Sequence, residues 1–254
     1  NAANRKLSYI GVSGDGDTAA IGLGQFCHAV RRRLNMVYIV MNNGCYGLTK
    51  GQFSATADQG SKSKRGVVNN DAAVDLVGMA LQLGATYVAR SFSGDKEQLV
   101  PLIKGAMSHG GAAFIDVISP CVTFNNHGGS TKSYDYVRQH NEAVSRIDYI
   151  SPGSEITTSY APGERVDVAQ HDGSILRLRK LHDGYDPTDR HAALEHMHRH
   201  AAQGEVVTGL PYIDPLATDL HCAMNTAAAP LASLGPETLC PGSKTLEKIN
   251  AALR

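Results

Sequence analysis

Two short loops, Gly14-Asp15-Gly16 and Asn42-Asn43, contain the residues best suited to chemistry, and twenty-five residues separate them. Glycines allow the backbone to approach phosphate oxygens closely, and the start of a following helix directs N–H groups at a bound anion. Asp15 adds a hard carboxylate oxygen of the kind that Mg²⁺ prefers. The pair of loops therefore predicts a site for a metal-bound diphosphate.

Mg²⁺ in such a site has few protein ligands, because substrate phosphates and water supply the others. The candidate ligands are Asp15, the amide oxygen of Asn43 and the backbone carbonyl of Cys45. Either loop alone is an ordinary turn sequence, so two structural turns at strand ends are the alternative interpretation. The combination of the loops at this spacing favours the diphosphate site.

The elements around the loops must bring them to one edge of a sheet. Leu7 to Ser13 and Met36 to Met41 are apolar runs typical of buried strands, and a helix is predicted from about Thr18 to Arg33. Helix, strand, helix and strand then follow over 72–83, 86–89, 96–108 and 113–118. This order predicts a doubly wound, mostly parallel α/β sheet that binds ligands at the carboxyl ends of its strands.

The chain beyond residue 150 has a different pattern. Residues 164–170 and 175–180 alternate around His171-Asp172-Gly173, which predicts a β-hairpin. From Gly204 onward, prolines interrupt each candidate helix until residues 243–253, so an irregular arm that embraces a neighbouring subunit is expected. We therefore predict a diphosphate-binding α/β domain over 1–150 and an extension over 151–254.

Composition excludes several classes of function. Lys and Arg total 24, and Asp and Glu also total 24, so no excess charge favours a nucleic acid or a membrane surface as partner. The longest clean apolar run, residues 36–41, is far shorter than the roughly 20 residues that a membrane helix needs. Five scattered cysteines form no C-x-x-C pair, which is typical of reduced thiols. A soluble, cytoplasmic protein is expected.

The residues that follow the second loop extend the pattern. Tyr46-Gly47-Leu48-Thr49-Lys50-Gly51-Gln52, Ser91-Phe92-Ser93-Gly94-Asp95 and the segment from Ile118 to Asn125 occur in this order. Together with the paired loops, whose spacing matches the thiamine diphosphate signature, they resemble the β subunits of 2-oxoacid:ferredoxin oxidoreductases, most of all the 2-oxoglutarate-type branch. The resemblance covers residues 1 to about 145, and the carboxyl-terminal arm is only loosely similar.

The resemblance implies an enzyme that uses thiamine diphosphate and Mg²⁺ to decarboxylate a 2-oxoacid oxidatively. Coenzyme A would take the acyl group, giving succinyl-CoA from 2-oxoglutarate, and a [4Fe–4S] cluster would pass electrons to ferredoxin. In two-subunit members the glutamate that activates thiamine belongs to the α subunit. An α subunit as partner and an (αβ)2 assembly are therefore expected.

The resemblance also implies roles for individual residues. The diphosphate and thiazolium would be lined by Gly14, Asp15, Gly16, Asp17, Asn42, Asn43, Gly47, Leu48 and Thr49. Mg²⁺ would be bound by Asp15, Asn43 and the Cys45 carbonyl. Lys50 is a candidate partner for a carboxylate of a dicarboxylic oxoacid, which would favour 2-oxoglutarate over pyruvate; a solvated loop lysine is the alternative.

Cys121 matches a cysteine that, in this family, holds the [4Fe–4S] cluster together with three upstream cysteines. Those three do not precede the Gly14 loop here, so we expect a sequence that lacks its amino-terminal part; a partner that supplies them is the alternative. Taken by itself, Cys121 would more simply be a buried apolar residue.

Three other functions stay open. A pyruvate-type oxidoreductase subunit would differ in substrate. A non-redox thiamine-dependent lyase or decarboxylase would lack the cluster, so the brown colour of a cluster would distinguish an oxidoreductase from a lyase. A scaffold subunit without chemistry is disfavoured, because Asp15, Asn42 and Asn43 would then have no reason to occur together.

Overall fold

The computed structural model describes residues 7–47, 51–61, 67–119, 156–169, 175–226, 229–240 and 242–253. The chain divides into two units, one over Tyr9–Leu220 and one that contains His221–Arg254 together with Asn1–Ser8. The larger unit contains the strands β1 (Ile10–Gly14), β2 (Met36–Asn42), β3 (Cys45–Tyr46), β4 (Gln52–Phe53), β5 (Tyr87–Phe92), β6 (Ala112–Ile118), β7 (Arg165–Ala169), β8 (Ile175–Lys180) and β9 (Val206–Ile213).

Seven of these strands form one mixed sheet in the order β1-β2-β6-β5-β9-β8-β7. The neighbours β1, β2, β6 and β5 are parallel. β9 pairs antiparallel with β5 and parallel with β8, and β7 pairs antiparallel with β8. The short strands β3 and β4 pair with each other as an antiparallel hairpin. The predicted doubly wound, mostly parallel sheet is confirmed.

The helices of the larger unit lie on both faces of the sheet. They are α1 (Leu23–Arg31), α2 (Leu76–Leu83), α3 (Lys96–Ser108) and α4 (Arg190–Ala201). Three further helices follow in the chain: α5 (Leu220–Ala223), α6 (Pro236–Leu239) and α7 (Gly242–Ala252). On one face, Phe26 of α1 and Leu81 of α2 share a buried cluster with Phe114 of β6. On the other, Ala106 of α3 packs with Ile115, the next residue of β6. Successive strand residues point to opposite faces, so β6 is apolar on both.

The single helix predicted from Thr18 to Arg33 is wrong at its start. Asp17–Ile21 form a wide, π-type turn, which Gly22 N closes by donating to the Asp17 carbonyl at 2.6 Å. Gly22 leaves the helical conformation, with φ of −100° and ψ of 13°, and α1 begins at Leu23. The glycine-rich loop therefore leads into a wide turn before the regular helix.

The expectation of irregular chain from Gly204 onward is wrong for β9, which lies between β5 and β8. Proline lacks an N–H donor and is normally confined to edges or bulges. Pro211 is tolerated because the register with β5 shifts between Val88 and Arg90, and because β9 pairs with β8 only through residues 206–208. The proline therefore lies at an irregularity where no ladder hydrogen bond is lost.

The predicted hairpin is present as β7 and β8, which pair from Arg165 with Arg179 to Ala169 with Ile175. Its turn and the domain boundary predicted at residue 150 lie outside the described residues. Strands from both sides of that boundary belong to the one sheet, so the division into 1–150 and 151–254 stays a prediction. No helix within the described ranges is long and apolar enough to span a bilayer.

Candidate functional site

The two predicted loops lie side by side at the carboxyl ends of β1 and β2. The parallel register pairs Gly14 with Met41, so both chains leave the sheet at the same level. Asn43 N donates a long hydrogen bond, 3.4 Å, to Asp15 Oδ1. Asp15 and Asn43 are thus in contact, as the spacing predicts, while their role as metal ligands stays a prediction.

Asn43 and Cys45 form a compact turn. Asn43 Oδ1 accepts a hydrogen bond from Cys45 N at 3.0 Å, and Gly44 between them has a φ of +71°, which favours glycine. An amide oxygen has two lone pairs, so Asn43 Oδ1 retains one for a cation. The three candidate Mg²⁺ ligands therefore belong to one connected pair of loops.

Asp15 is held by two hydroxyl groups that the motif does not contain. Its side chain is buried, with 1% exposure, and Oδ2 accepts hydrogen bonds from Ser54 and Thr56. The β3-β4 hairpin returns the chain to this position, where Ser54 N donates to the Gly44 carbonyl at 3.2 Å. Sequence reasoning misses Ser54 and Thr56 because they follow the matched residues in an ordinary polar loop.

The charge of Asp15 fits a bound cation. Among the described residues, the ion pairs formed by Lys and Arg do not include Asp15. A buried carboxylate without a cation is costly, so a metal would offset its charge. The described ranges contain no group of three His, Cys, Asp or Glu side chains that could hold a metal. Amide, carbonyl and phosphate oxygens must then complete the site, which suits Mg²⁺.

Tyr46 packs directly over the first loop. Its hydroxyl donates to the Gly16 carbonyl at 3.0 Å, and a Cβ on Gly16 would lie 2.4 Å from the Tyr46 ring. The φ of Gly16 is −61°, which any residue can adopt, so close packing and not conformation requires glycine here. Glycine at position 16 therefore makes room for the Tyr46 ring, which fixes the first loop against β3.

A chain of polar side chains connects Asn42 to the interior of the sheet. Asn42 Nδ2 donates to Asp116 Oδ1 at 3.1 Å, and Arg90 Nε donates to Asp116 Oδ2 at 2.8 Å. Arg90 also bonds Asp75 at 2.8 Å, and Asp75 caps α2 by accepting from Val77 N. Burial raises the pKa of the Asp116 carboxyl, and the adjacent Arg90 guanidinium opposes that rise.

Sequence reasoning also misses Asp116 and Arg90, although a signal exists. Each is a single charged residue inside an apolar strand of the parallel half of the sheet. A charge in a strand buried on both faces needs a partner of opposite charge. Pairing the lone acid of β6 with the lone base of β5 would have identified this contact.

The other predicted residues fall into two groups. Gly14 ends β1, Gly47 lies in the turn after β3, and Asp17 begins the π-type turn with its side chain exposed. The remaining four lie outside the described residues: Leu48, Thr49, Lys50 and Cys121.

Comparison with known families agrees with this geometry. Residues 2–117 match the family model of the thiamine pyrophosphate enzyme C-terminal TPP binding domain, where TPP is another name for thiamine diphosphate. Residues 2–117 are therefore similar to a TPP-binding domain. They include both loops, the β3-β4 hairpin and the Asp116–Arg90 pair. The predicted relation to thiamine diphosphate enzymes is confirmed.

Named relatives of the chain include oxidoreductase β subunits. The 2-oxoacid:ferredoxin oxidoreductase subunit beta of Saccharolobus solfataricus is 43% identical over 127 residues, 49% of this chain and 41% of the relative. The 2-oxoglutarate synthase subunit KorB of Methanocaldococcus jannaschii is 44% identical over 175 residues, 66% of this chain and 64% of the relative. The chain therefore spans less than two thirds of either relative.

A solved structure has the same fold. It is described as 2-oxoglutarate:ferredoxin oxidoreductase from Magnetococcus marinus with 2-oxoglutarate, coenzyme A and succinyl-CoA bound. The TM-score is 0.62 at 28% identity, and the match covers 88% of this chain and 62% of that chain. The match therefore extends well beyond the TPP-binding domain into the carboxyl-terminal strands.

Proposed function

We propose that this chain is the catalytic β subunit of a 2-oxoacid:ferredoxin oxidoreductase that acts on 2-oxoglutarate. The main support is the contact between Asp15 and the Asn43 loop within a TPP-binding domain whose named relatives are β subunits of such enzymes. The preference for 2-oxoglutarate is supported by the KorB relative and by the ligands named for the solved structure.

The loops of this chain would hold the cofactor through its metal. Asp15, Asn43 and the Cys45 carbonyl would bind Mg²⁺, and the diphosphate would complete the coordination. Gly14 and Gly16 would let phosphate oxygens approach the backbone. When bound, thiamine diphosphate supplies the electron sink that decarboxylation of a 2-oxoacid needs.

The interior of the sheet would keep the second loop in place. Asp116 accepts hydrogen bonds only, so Asn42 must direct its amide nitrogen to Asp116 and its Oδ1 toward Thr56 at 3.0 Å. This orientation fixes the end of β2 from which Asn43 continues. Lys50 is proposed to pair with the distal carboxylate of 2-oxoglutarate.

The remaining steps are assigned to other groups. Cys121 would be one ligand of a [4Fe–4S] cluster that passes electrons to ferredoxin, and coenzyme A would accept the succinyl group. An α subunit would supply the glutamate that activates thiamine, in an (αβ)2 assembly in the cytoplasm. The support for these assignments is the resemblance and the relatives' names.

The full-length chain co-expressed with its α subunit tests the proposal. We expect 2-oxoglutarate and coenzyme A together to reduce ferredoxin, and Mg²⁺ with thiamine diphosphate at 100 times its dissociation constant to stabilise the complex by about 2.7 kcal/mol. Asp15→Ala should abolish both effects. Asp183→Ala, at an exposed aspartate after β8, should change neither.

Two outcomes would contradict the proposal. A complex that takes up no thiamine diphosphate would contradict the cofactor assignment. A complex that binds it and releases CO₂ from the oxoacid without reducing any acceptor would instead support the lyase alternative.

A further inference from the structure

The two oxygens of the Asp15 carboxylate have unequal surroundings. A carboxylate only accepts hydrogen bonds, so Ser54 and Thr56 must both donate their single hydroxyl protons to Oδ2. Oδ1 has one long contact, the 3.4 Å bond from Asn43 N. Hydrogen bonds to a charged acceptor are about twice as strong as neutral ones, so Oδ2 is the firmly held oxygen.

The position of Thr56 is itself constrained. Its Oγ1 lies 3.0 Å from Asn42 Oδ1, an acceptor whose orientation is set by the bond from Asn42 Nδ2 to Asp116. Thr56 has one proton and lies near three acceptors: the Asp15 carboxylate, Asn42 Oδ1 and, at 3.0 Å, Ser54 Oγ. The charged carboxylate attracts the proton more strongly than either neutral oxygen. The hydroxyl therefore stays directed at Asp15, and the contact to Asn42 defines its location.

We propose that Ser54 and Thr56 hold Asp15 as a one-oxygen metal ligand, so that the site prefers Mg²⁺ to Ca²⁺; this inference rests on the proposed function. With Oδ2 occupied by two hydroxyls, only Oδ1 is available to a cation. Mg²⁺ requires compact octahedral coordination, whereas Ca²⁺ accepts six to eight oxygens and often takes both oxygens of a carboxylate. Ser54 and Thr56 are thus positioning residues that act through Asp15.

The test measures metal binding rather than turnover. On the assembled complex with thiamine diphosphate present, the dissociation constants of Mg²⁺ and Ca²⁺ are determined by calorimetry for the parent, Ser54→Ala, Thr56→Val and the double variant. We expect each hydroxyl loss to weaken Mg²⁺ binding by about 10- to 100-fold, as for other groups that orient metal ligands. Ca²⁺ binding should weaken less, because a freed Oδ2 allows bidentate contact.

Thr56→Ser is the matched control, since it keeps the hydroxyl and removes only a methyl group. It should retain the parent's Mg²⁺ affinity and its preference for Mg²⁺. Thr56→Val keeps the shape of the side chain but removes a donor to a buried carboxylate, so its melting temperature without ligands should fall below that of the parent. A single cooperative unfolding transition would show that the variant is folded.

Two results would overturn the inference while the proposed function stands. One is a Thr56→Val complex that binds both metals as the parent does. The other is an equal loss for Mg²⁺ and Ca²⁺ in the double variant, which would indicate a general disturbance of the loop. A parent complex that takes up neither metal with thiamine diphosphate would overturn both the inference and the proposed function.

Discussion

Asn42 and Asp116 are joined by a 3.1 Å hydrogen bond across 74 residues of sequence, and it links the second loop to a buried ion pair. Asp116 is 1% exposed, so its two oxygens depend on Asn42 and Arg90 for compensation. The loop at the end of β2 is therefore anchored by the charge balance of the sheet.

Replacement of that aspartate tests the anchor. In Asp116→Asn one oxygen becomes an NH2 group, which would face the donor of Asn42 or of Arg90. We expect a loss of about 3 kcal/mol in the free energy of unfolding, because a buried ion pair is broken, and about tenfold weaker binding of thiamine diphosphate with Mg²⁺. Chemical denaturation and calorimetry measure the two effects.

Asp75→Asn is the control for this anchor, because Asp75 also pairs with Arg90 but its side chain is 42% exposed. Asp75→Asn should lower the free energy of unfolding by about 1 kcal/mol and leave the affinity for thiamine diphosphate unchanged. Unchanged cofactor affinity in Asp116→Asn would show that the ion pair acts only on stability, and an equal loss of affinity in both variants would contradict a specific role of the bond to Asn42.

The contact between Tyr46 and Gly16 predicts a steric effect. Gly16→Ala would place a Cβ 2.4 Å from the Tyr46 ring, so the ring must move, at a cost of about 1 to 3 kcal/mol. The melting temperature should fall, and the affinity for thiamine diphosphate with Mg²⁺ should weaken. Gly24→Ala on α1, where a Cβ meets nothing within 4 Å, should be neutral or slightly stabilising. A tolerated Gly16→Ala would refute the packing argument.

The hydrogen bonds of Glu205 make the stability of the protein sensitive to acid. Hydrogen bonds from Arg179 at 2.6 and 3.1 Å, and one with His200 at 2.7 Å, lower the pKa of Glu205 to about 2. Because the pKa is lower in the folded state, this stabilisation is complete above the usual value of 4.5 and is lost as the pH falls toward 2. Unfolding by urea at several pH values measures it.

Glu205→Gln should lower the free energy of unfolding by about 2 kcal/mol at pH 7 and flatten its dependence on pH between 4.5 and 2. Glu195→Gln, at an exposed position of α4, should leave the profile as in the parent. An unchanged acid profile in Glu205→Gln would mean that other carboxylates account for the acid sensitivity.

The proposed role of Lys50, which lies outside the described residues, predicts a preference for dicarboxylic oxoacids. Lys50→Met removes the charge proposed to pair with the distal carboxylate, so KM should rise much more for 2-oxoglutarate than for 2-oxobutyrate. Initial-rate measurements with both oxoacids on the assembled complex provide the comparison. Equal changes in KM would refute the pairing.

The sequence predicts the parallel half of the fold and the meeting of the two loops. Both follow from strong local signals: apolar runs for the strands, and glycine with polar residues at the carboxyl ends of adjacent strands. Asp15 and Asn43 are therefore predictable neighbours. The sequence does not predict which oxygen of Asp15 accepts the hydroxyl hydrogen bonds. Those bonds come from Ser54 and Thr56, which follow the motif and reach Asp15 only because the β3-β4 hairpin turns the chain back.

The two wrong predictions, at Pro211 and at Gly22, also have physical causes. Pro211 disfavours a strand by its missing N–H, and only the pairing with β5 reveals the irregularity that accommodates it. The break at Gly22 depends on the wide turn from Asp17, which no helical periodicity indicates. In each case the contacts made after folding outweigh the local preference of the residue.

The pairing of β9 with β5 also sets a limit on dissection of the molecule. The family match ends at residue 117, yet the β5 edge facing away from β6 is occupied by residues that follow Glu205. A fragment cut at the family boundary would present that edge, and the apolar surface beside it, to other molecules and would tend to aggregate. A fragment designed for expression must therefore extend beyond residue 117 and contain the later strands, above all β9.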